Sequence, residues 1–509
     1  MSALALTATI AALGPGVLLP AAAQPSVSPE NGGVYATPPP VDPNALPRPS
    51  TSPDQAYEKK VGCVEADMSR NFRLRSAPWG QTYLRLDEVH RLMQSTLGSA
   101  GKFANGQPVR VAVIDTGVTN HPYFGGRVKP GADYVFNSGQ PGMEDCDGHG
   151  TEVAGIIAAA TPRDNAFKGV APDAEIISIR QSSQNYGPDE TPEPPPPPPG
   201  DNGGEPGREG SEEQPPGDDT PPAQNGGRTQ EESGSAGTLT TLAQAVVHAT
   251  DMGADVINIS INNCRPANGT ITTGEQALQA AMRYAVDRDV VVVTAAGNTS
   301  DRCAQNDQQD PDEPKTIVTP PWFADDVLSV GAIDETGGVA QFSINGPWVS
   351  VAAPGTDIIS LDPAPGSDRL TNMTIENGEA RTIEGTSFAA PYVSGLAALV
   401  RAKYPHLDAR EVINRIERTA QHPAAPGGRD NYIGYGVIDP MAALTAMVPE
   451  EENLQPASAV SLPSDLPPAD DRNWTPVIVA LTGAGGALLA LLITLFVVHT
   501  IRRNRTTVS

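Results

Sequence analysis

Along the middle of the chain the spacing of apolar residues switches repeatedly between two periods. Short apolar runs at Val109–Ile114, Glu175–Ile179, Val256–Ile259 and Val290–Thr294 read as strands. Between them, Glu152–Ala160, Leu239–Met252, Gln276–Asp287 and Phe388–Lys403 carry their apolar residues at helical spacing. Strands alternating with helices predict an α/β fold whose mainly parallel central sheet is covered on both faces. Upstream, Leu84, Leu86, Val89, Leu92 and Met93 predict a short amphipathic helix within Thr82–Leu97.

Three stretches break this rhythm. Residues 24 to about 55 are rich in proline (Pro38, Pro39, Pro40, Pro47, Pro49, Pro53) and are expected to be extended. Residues 188–236 hold the run Pro194–Pro199, repeated glycine, and twelve acidic against two basic residues. Such a segment buries too little apolar area to offset its ordering entropy, so it is expected to be a disordered insert in the folded domain. A passive surface insertion is the plainer reading of it, a partner-binding arm the other. A third Pro-rich stretch, 448–475, has the composition of a tether.

Both ends are apolar. Residues 1–23 stay small or apolar and finish in Ala21-Ala22-Ala23, the pattern of a secretory signal and its cleavage site. No Lys or Arg precedes the apolar stretch, so either the true start lies upstream or the leader is atypical. At the other end Val477–Val498 carries no charge, and a transmembrane helix is expected at 476–499. Trp474 stands at its start, and Arg502, Arg503 and Arg505 follow in the tail, 500–509. The positive-inside rule puts that tail in the cytosol and the rest of the chain on the extracytoplasmic face of the cell membrane. Four cysteines in an exported chain suggest two disulfides. Of the three connectivities, Cys63–Cys146 and Cys264–Cys303 are favoured. The first would staple the N-terminal segment to the folded domain, and the second flanks two strand ends that the motifs below bring together. A net charge of −26 argues against nucleic acid as a partner.

Chemistry concentrates in four segments. Val111-Ala-Val-Ile-Asp115-Thr-Gly117 ends a strand in a carboxylate. Asp147-Gly-His149-Gly-Thr151 opens a helix with an imidazole in its first turn. Gly385-Thr-Ser387-Phe-Ala-Ala-Pro391 starts a helix with a hydroxyl, and Pro391 is read as lying in its first turn, where a missing N–H costs nothing. Val290-Val-Val-Val-Thr-Ala-Ala-Gly297-Asn298 ends a buried strand in an amide. A serine hydroxyl becomes a nucleophile when a base takes its proton and a carboxylate orients that base. Asp115, His149 and Ser387 are therefore the candidate catalytic triad. Asn298, with the backbone N–H of Ser387, is the candidate oxyanion donor.

In this order the four segments resemble the subtilisin-like serine proteases, the subtilases, over roughly Gln107 to Met447. The resemblance implies a subtilisin-like three-layer fold around a seven-stranded parallel sheet, and peptide hydrolysis through an acyl-enzyme. It implies that Ser260, Ile261 and Asn262 form the strand end that pairs with substrate backbone. Subtilases usually carry a cleavable folding prodomain; here that place holds the extension 24–106, which Cys63 would keep attached even if cut. The full layout, with Asp145-Cys146-Asp147 before the histidine, resembles the mycosins, the membrane-bound subtilases of type VII secretion systems. Exported proteins as substrates and the secretion membrane complex as partner follow from that resemblance. A mainly structural subunit and a housekeeping surface protease are the alternatives. No cofactor is expected. Asp307, Asp310, Asp312 and Glu313 are read as a solvated acidic loop and not as a metal site.

Overall fold

A computed structural model describes residues 36–63, 65–66, 74–136, 139–189, 235–268, 270–307, 313–376, 379–452 and 475–505. The leader, most of the acidic insert, Asp310, Asp312, Trp474 and the rest of the tether from 453, and the last four residues lie outside these.

Seven parallel strands form the central sheet. They are β1 (Arg110–Asp115), β2 (Val128–Asp133), β3 (Glu175–Arg180), β4 (Val256–Ile259), β5 (Val291–Ala295), β6 (Leu328–Ile333) and β7 (Val351–Pro354). Their order across the sheet is β7-β6-β5-β4-β1-β3-β2, and every neighbouring pair is parallel. The order reverses at β1, whose Ile114 lies opposite Ile179 on one side and Ile259 on the other. Beyond the carboxyl ends of strands at such a switch point, α/β folds open a crevice for ligands.

The apolar runs follow from burial on both faces. All of β4, β5 and β6 is buried, as are Val111 to Asp115 of β1. Five helices matter here: α1 (His149–Ala158), α2 (Leu239–Asp251), α3 (Thr273–Val286), α4 (Thr386–Lys403) and α5 (Ala409–Arg418). Capping boxes start three of them, with Thr238 before α2, Thr272 and Glu275 at α3, and Asp408 and Glu411 at α5. The helix expected over 82–97 is two pieces, Trp79–Tyr83 and Leu86–Leu97, separated at Arg85, whose φ of 54° no helix accommodates. Strands β2, β6 and β7 were not foreseen.

The N-terminal extension is a strap laid along this unit. Pro39 accepts from Gln279 Nε2 of α3 at 2.8 Å, and the Ser50 carbonyl accepts from Tyr134 Oη at 2.6 Å. Tyr57–Lys59 pairs antiparallel with Tyr186–Pro188, at the edge of the acidic insert. Cys63 is bonded to Cys146, and Glu65–Ala66 adds a strand to the hairpin of Met373–Glu376 and Glu379–Thr382. The second disulfide joins Cys264 to Cys303. At the far edge of the insert, Ala236 is buried and bridges Ser183.

Separate from this unit, Thr475–Arg505 is one helix of 31 residues. Pro476–Arg503 within it holds an 18-residue stretch of mean hydropathy 2.3 and is long and apolar enough to cross a membrane.

Candidate active site

Asp115 ends β1 and His149 begins α1, and the fold presses the two together. His149 Nδ1–H donates to Asp115 Oδ1 at 2.7 Å, and the Thr116 N–H donates to the same oxygen at 2.8 Å. Asp115 is wholly buried, so its charge is focused on the imidazole, which keeps 13 % of its surface open. Gly150 permits the approach: a Cβ there would stand 2.0 Å from the Gly117 carbonyl oxygen. The Gly-His-Gly pattern thus has a steric cause on its second glycine.

Ser387 sits one residue into α4, beside the carboxyl end of β5. Phe388, the next residue, lays its ring against the His149 imidazole with 4.9 Å between centroids. Among the described residues the Ser387 hydroxyl makes no hydrogen bond to that imidazole; such contacts in serine hydrolases tighten when substrate fills the site. Asn298 is fully buried. Its Oδ1 accepts from the N–H and the hydroxyl of Thr386 at 3.0 and 2.9 Å, while Nδ2 has no partner among the described residues. The amide is therefore locked with its donor end free.

Gly385 marks where that donor points. Its φ is 148°, and a Cβ built on it would lie 2.9 Å from Ser387 Oγ and 3.1 Å from Asn298 Nδ2. The hydroxyl and the unpaired amide donor therefore border the same small space beside Gly385, as a nucleophile and an oxyanion donor must. Glycine keeps that space clear of a side chain.

Pro391 lies inside α4 and not in its first turn, because the helix already begins at Thr386. Without an N–H it cannot bond the carbonyl four residues back, which is that of Ser387. The Ser260 hydroxyl donates to this carbonyl at 2.7 Å. Asn258 Nδ2 donates to the Ser260 oxygen at 2.9 Å, and Asn258 Oδ1 accepts from Ser394 at 2.7 Å. The Ser260 side chain thus turns inward onto the backbone of Ser387. Ile261 and Asn262 are buried beside it, just past the end of β4, with Asn262 Nδ2 3.5 Å from where a Cβ on Gly297 would stand. Of the acidic loop, Asp307 is paired with Lys315 and fully exposed, and the Lys315 ammonium holds its carboxyl below the usual range.

Two residues that carry this geometry stand within the quoted motifs, but the motifs assign them no role. Thr386 acts on an amide 88 positions earlier. Asp145, buried, takes four hydrogen bonds around the Asp115–His149 pair, described below. Burial first, and then the neighbouring Asp147, push its carboxyl up to about 6.

Residues 106–436 match the profile of the subtilase family. Mycosin-1 of Mycobacterium tuberculosis is 40 % identical over 466 residues, covering 89 % of this chain and 92 % of that one. The crystal structure of MycP1 from Mycobacterium smegmatis superposes with a TM-score of 0.66 at 36 % identity, over 84 % of this chain and 99 % of that one. A chain in the structure of an intact ESX-5 inner membrane complex gives a TM-score of 0.65 at 38 % identity, over 90 % and 98 %.

Proposed function

This chain belongs to the subtilase family and, within it, to the mycosins, and on that premise we propose that its serine endopeptidase chemistry is carried by Ser387, His149, Asp115 and Asn298 at the outer face of a membrane. The observation that supports this most directly is that the Ser387 hydroxyl and the unpaired Asn298 donor border one small space beside Gly385, where a Cβ would stand 2.9 Å from the first and 3.1 Å from the second.

A peptide carbonyl placed there meets a nucleophile on one side and an N–H on the other. Ser387 Oγ attacks the carbonyl carbon as its proton passes to His149 Nε2. Asp115 fixes the tautomer that leaves Nε2 free to accept and stabilises the imidazolium through Nδ1. The developing oxyanion takes hydrogen bonds from Asn298 Nδ2 and the Ser387 N–H, aimed in advance by Thr386. His149 then returns the proton to the leaving amine, and water releases the acyl group by the same steps in reverse. Substrate lies extended along the backbone of Ser260–Asn262, whose side chains are turned into the protein.

The apolar helix Thr475–Arg505 anchors the enzyme, with Arg502 and Arg503 on the cytosolic side and the catalytic unit facing exported polypeptides. Similarity to a chain of the ESX-5 inner membrane complex, over 90 % of this sequence, supports a place in a type VII secretion membrane complex. Ser387→Ala should abolish labelling by a fluorophosphonate probe; labelling that persists would refute the nucleophile. Co-purification with a membrane ATPase complex tests the partner. Secretion restored by the Ser387→Ala chain in a deletion strain would show that the complex needs the protein and not its cleavage.

A further inference from the structure

We propose that Asp145 is a positioning residue for hydrolysis, its carboxylate tying the strand end that carries Asp115 to the helix start that carries His149. This rests on the roles assigned above to those two side chains.

Asp145 Oδ1 accepts from the Thr116 hydroxyl at 2.8 Å and from the Gly148 N–H at 2.7 Å. Its Oδ2 accepts from the Thr151 hydroxyl at 2.6 Å and from the Thr151 N–H at 2.8 Å. Thr116 follows Asp115 and donates its own N–H to the carboxylate oxygen that His149 uses. Its hydroxyl also accepts from the Gly150 N–H at 2.9 Å. Gly148 and Gly150 flank His149, and Thr151 completes the first turn of α1. Both chain neighbours of the imidazole and the residue after its carboxylate partner are therefore gathered on one buried side chain, directly or through Thr116.

The clamp also solves a local problem. Gly148 caps α1 and has no side chain with which to accept from the helix's first N–H groups. Asp145 does so from three residues upstream, placing negative charge at the positive end of the helix. Each of its oxygens takes one backbone N–H, and a backbone N–H cannot turn away. Only the carboxylate accepts all four bonds. An asparagine, in either orientation, sets its NH2 against one of those N–H groups. The carboxyl that burial raises to about 6 still carries its charge at neutral pH.

The test uses the full-length chain in detergent and the fluorophosphonate probe, separating the saturating inactivation rate from the half-saturating probe concentration. Asp145→Asn should lower the saturating rate about 10²-fold, the cost of misplacing reacting groups by about an ångström, while the half-saturating concentration stays within about threefold. A saturating rate equal to wild type, or a change confined to the half-saturating concentration, overturns the proposal. If Asp145→Asn does not fold, Thr116→Val decides. It removes one strut and should lower the saturating rate about tenfold, the effect of about 1.4 kcal/mol at the barrier; an unchanged rate overturns the clamp. Ser387→Ala is run alongside. Its persistent labelling would sink the nucleophile assignment, whereas a silent Ser387→Ala with a fast Asp145→Asn would sink the clamp alone.

Discussion

Thr386 grips the carboxamide of Asn298 by its oxygen and leaves its nitrogen unpaired in a fully buried position. The hydroxyl of Thr386 has a second duty, accepting from the Gly297 N–H at 3.1 Å. Asn298→Ala should lower kcat by about 10²–10³ with little change in KM. Thr386→Val leaves one of the two holds on the amide and orphans the Gly297 N–H. It should cost about 1–3 kcal/mol of stability and lower kcat less than Asn298→Ala does. Steady-state kinetics with a thermal melt checks both. A kcat unchanged in Thr386→Val would show that the hydroxyl does not aim the amide.

Gly385→Ala sets a methyl against Ser387 Oγ and Asn298 Nδ2, crowding the space a substrate carbonyl must enter, at a φ of 148° that L residues rarely adopt. Loss of fluorophosphonate labelling by at least about 10²-fold is expected, with circular dichroism little changed. Retained labelling would mean that the open position beside Gly385 is not where the reacting carbonyl binds.

The Cys63–Cys146 disulfide closes a loop between residues 83 positions apart. Replacing both cysteines by serine should destabilise the catalytic unit by about 2–5 kcal/mol, through the larger chain entropy of the unfolded state. It should also expose the strap to proteolysis between Tyr57 and Cys63. Denaturation midpoints and limited proteolysis read the two effects. Equal midpoints would mean that the strap's hydrogen bonds and strand pairings hold it without the disulfide.

His121 is buried, accepts from the Tyr123 N–H at 3.1 Å through Nδ1, and donates from Nε2 to the Arg369 carbonyl at 3.1 Å. Burial lowers its pKa from 6.5 to about 4, against the opposing pull of the Arg369 carbonyl, Asp362 and Asp368. The folded value lies below the unfolded one, so the unfolded chain binds the extra proton. This group's contribution is complete above about pH 6.5 and disappears as pH falls towards 4, by about 3 kcal/mol at most. Asp145 and Glu417, raised by burial to about 6 and about 7, act in the opposite sense over part of that range. The readout is therefore a difference: His121→Gln should flatten the loss of melting temperature between pH 7 and 4.5. A slope identical to wild type would remove His121 from the acid response.

Much of the fold was legible because buried parallel strands and amphipathic helices impose distinct periods. Strands β1, β3, β4 and β5 stand within a residue or two of where the apolar runs put them, and α2 and α4 nearly so. Strand β2 was hidden by Pro130 and Gly131, which ordinarily argue against a strand. It tolerates them at the sheet edge, where the register shifts between Pro130 and Ala132. Gly331 in β6 and the short, small-residue β7 concealed those strands in the same way. The site was legible to the extent that each motif ends a regular element. What holds the motifs together was not. Thr386 and Asp145 look like any threonine and acid until the fold supplies partners from distant segments, and Ser260 revealed its inward role only beside the proline that frees the Ser387 carbonyl.

The four side chains of the proposed site come from four separate segments, and the first and last of them, Asp115 and Ser387, are separated by more than half the chain. An incomplete polypeptide has no hydrolytic centre at all. A nascent chain that has not yet reached Ser387 is therefore harmless to itself and to its neighbours. Its cutting power waits until the sheet has formed around β1 and the amino end of α4 has docked beside it.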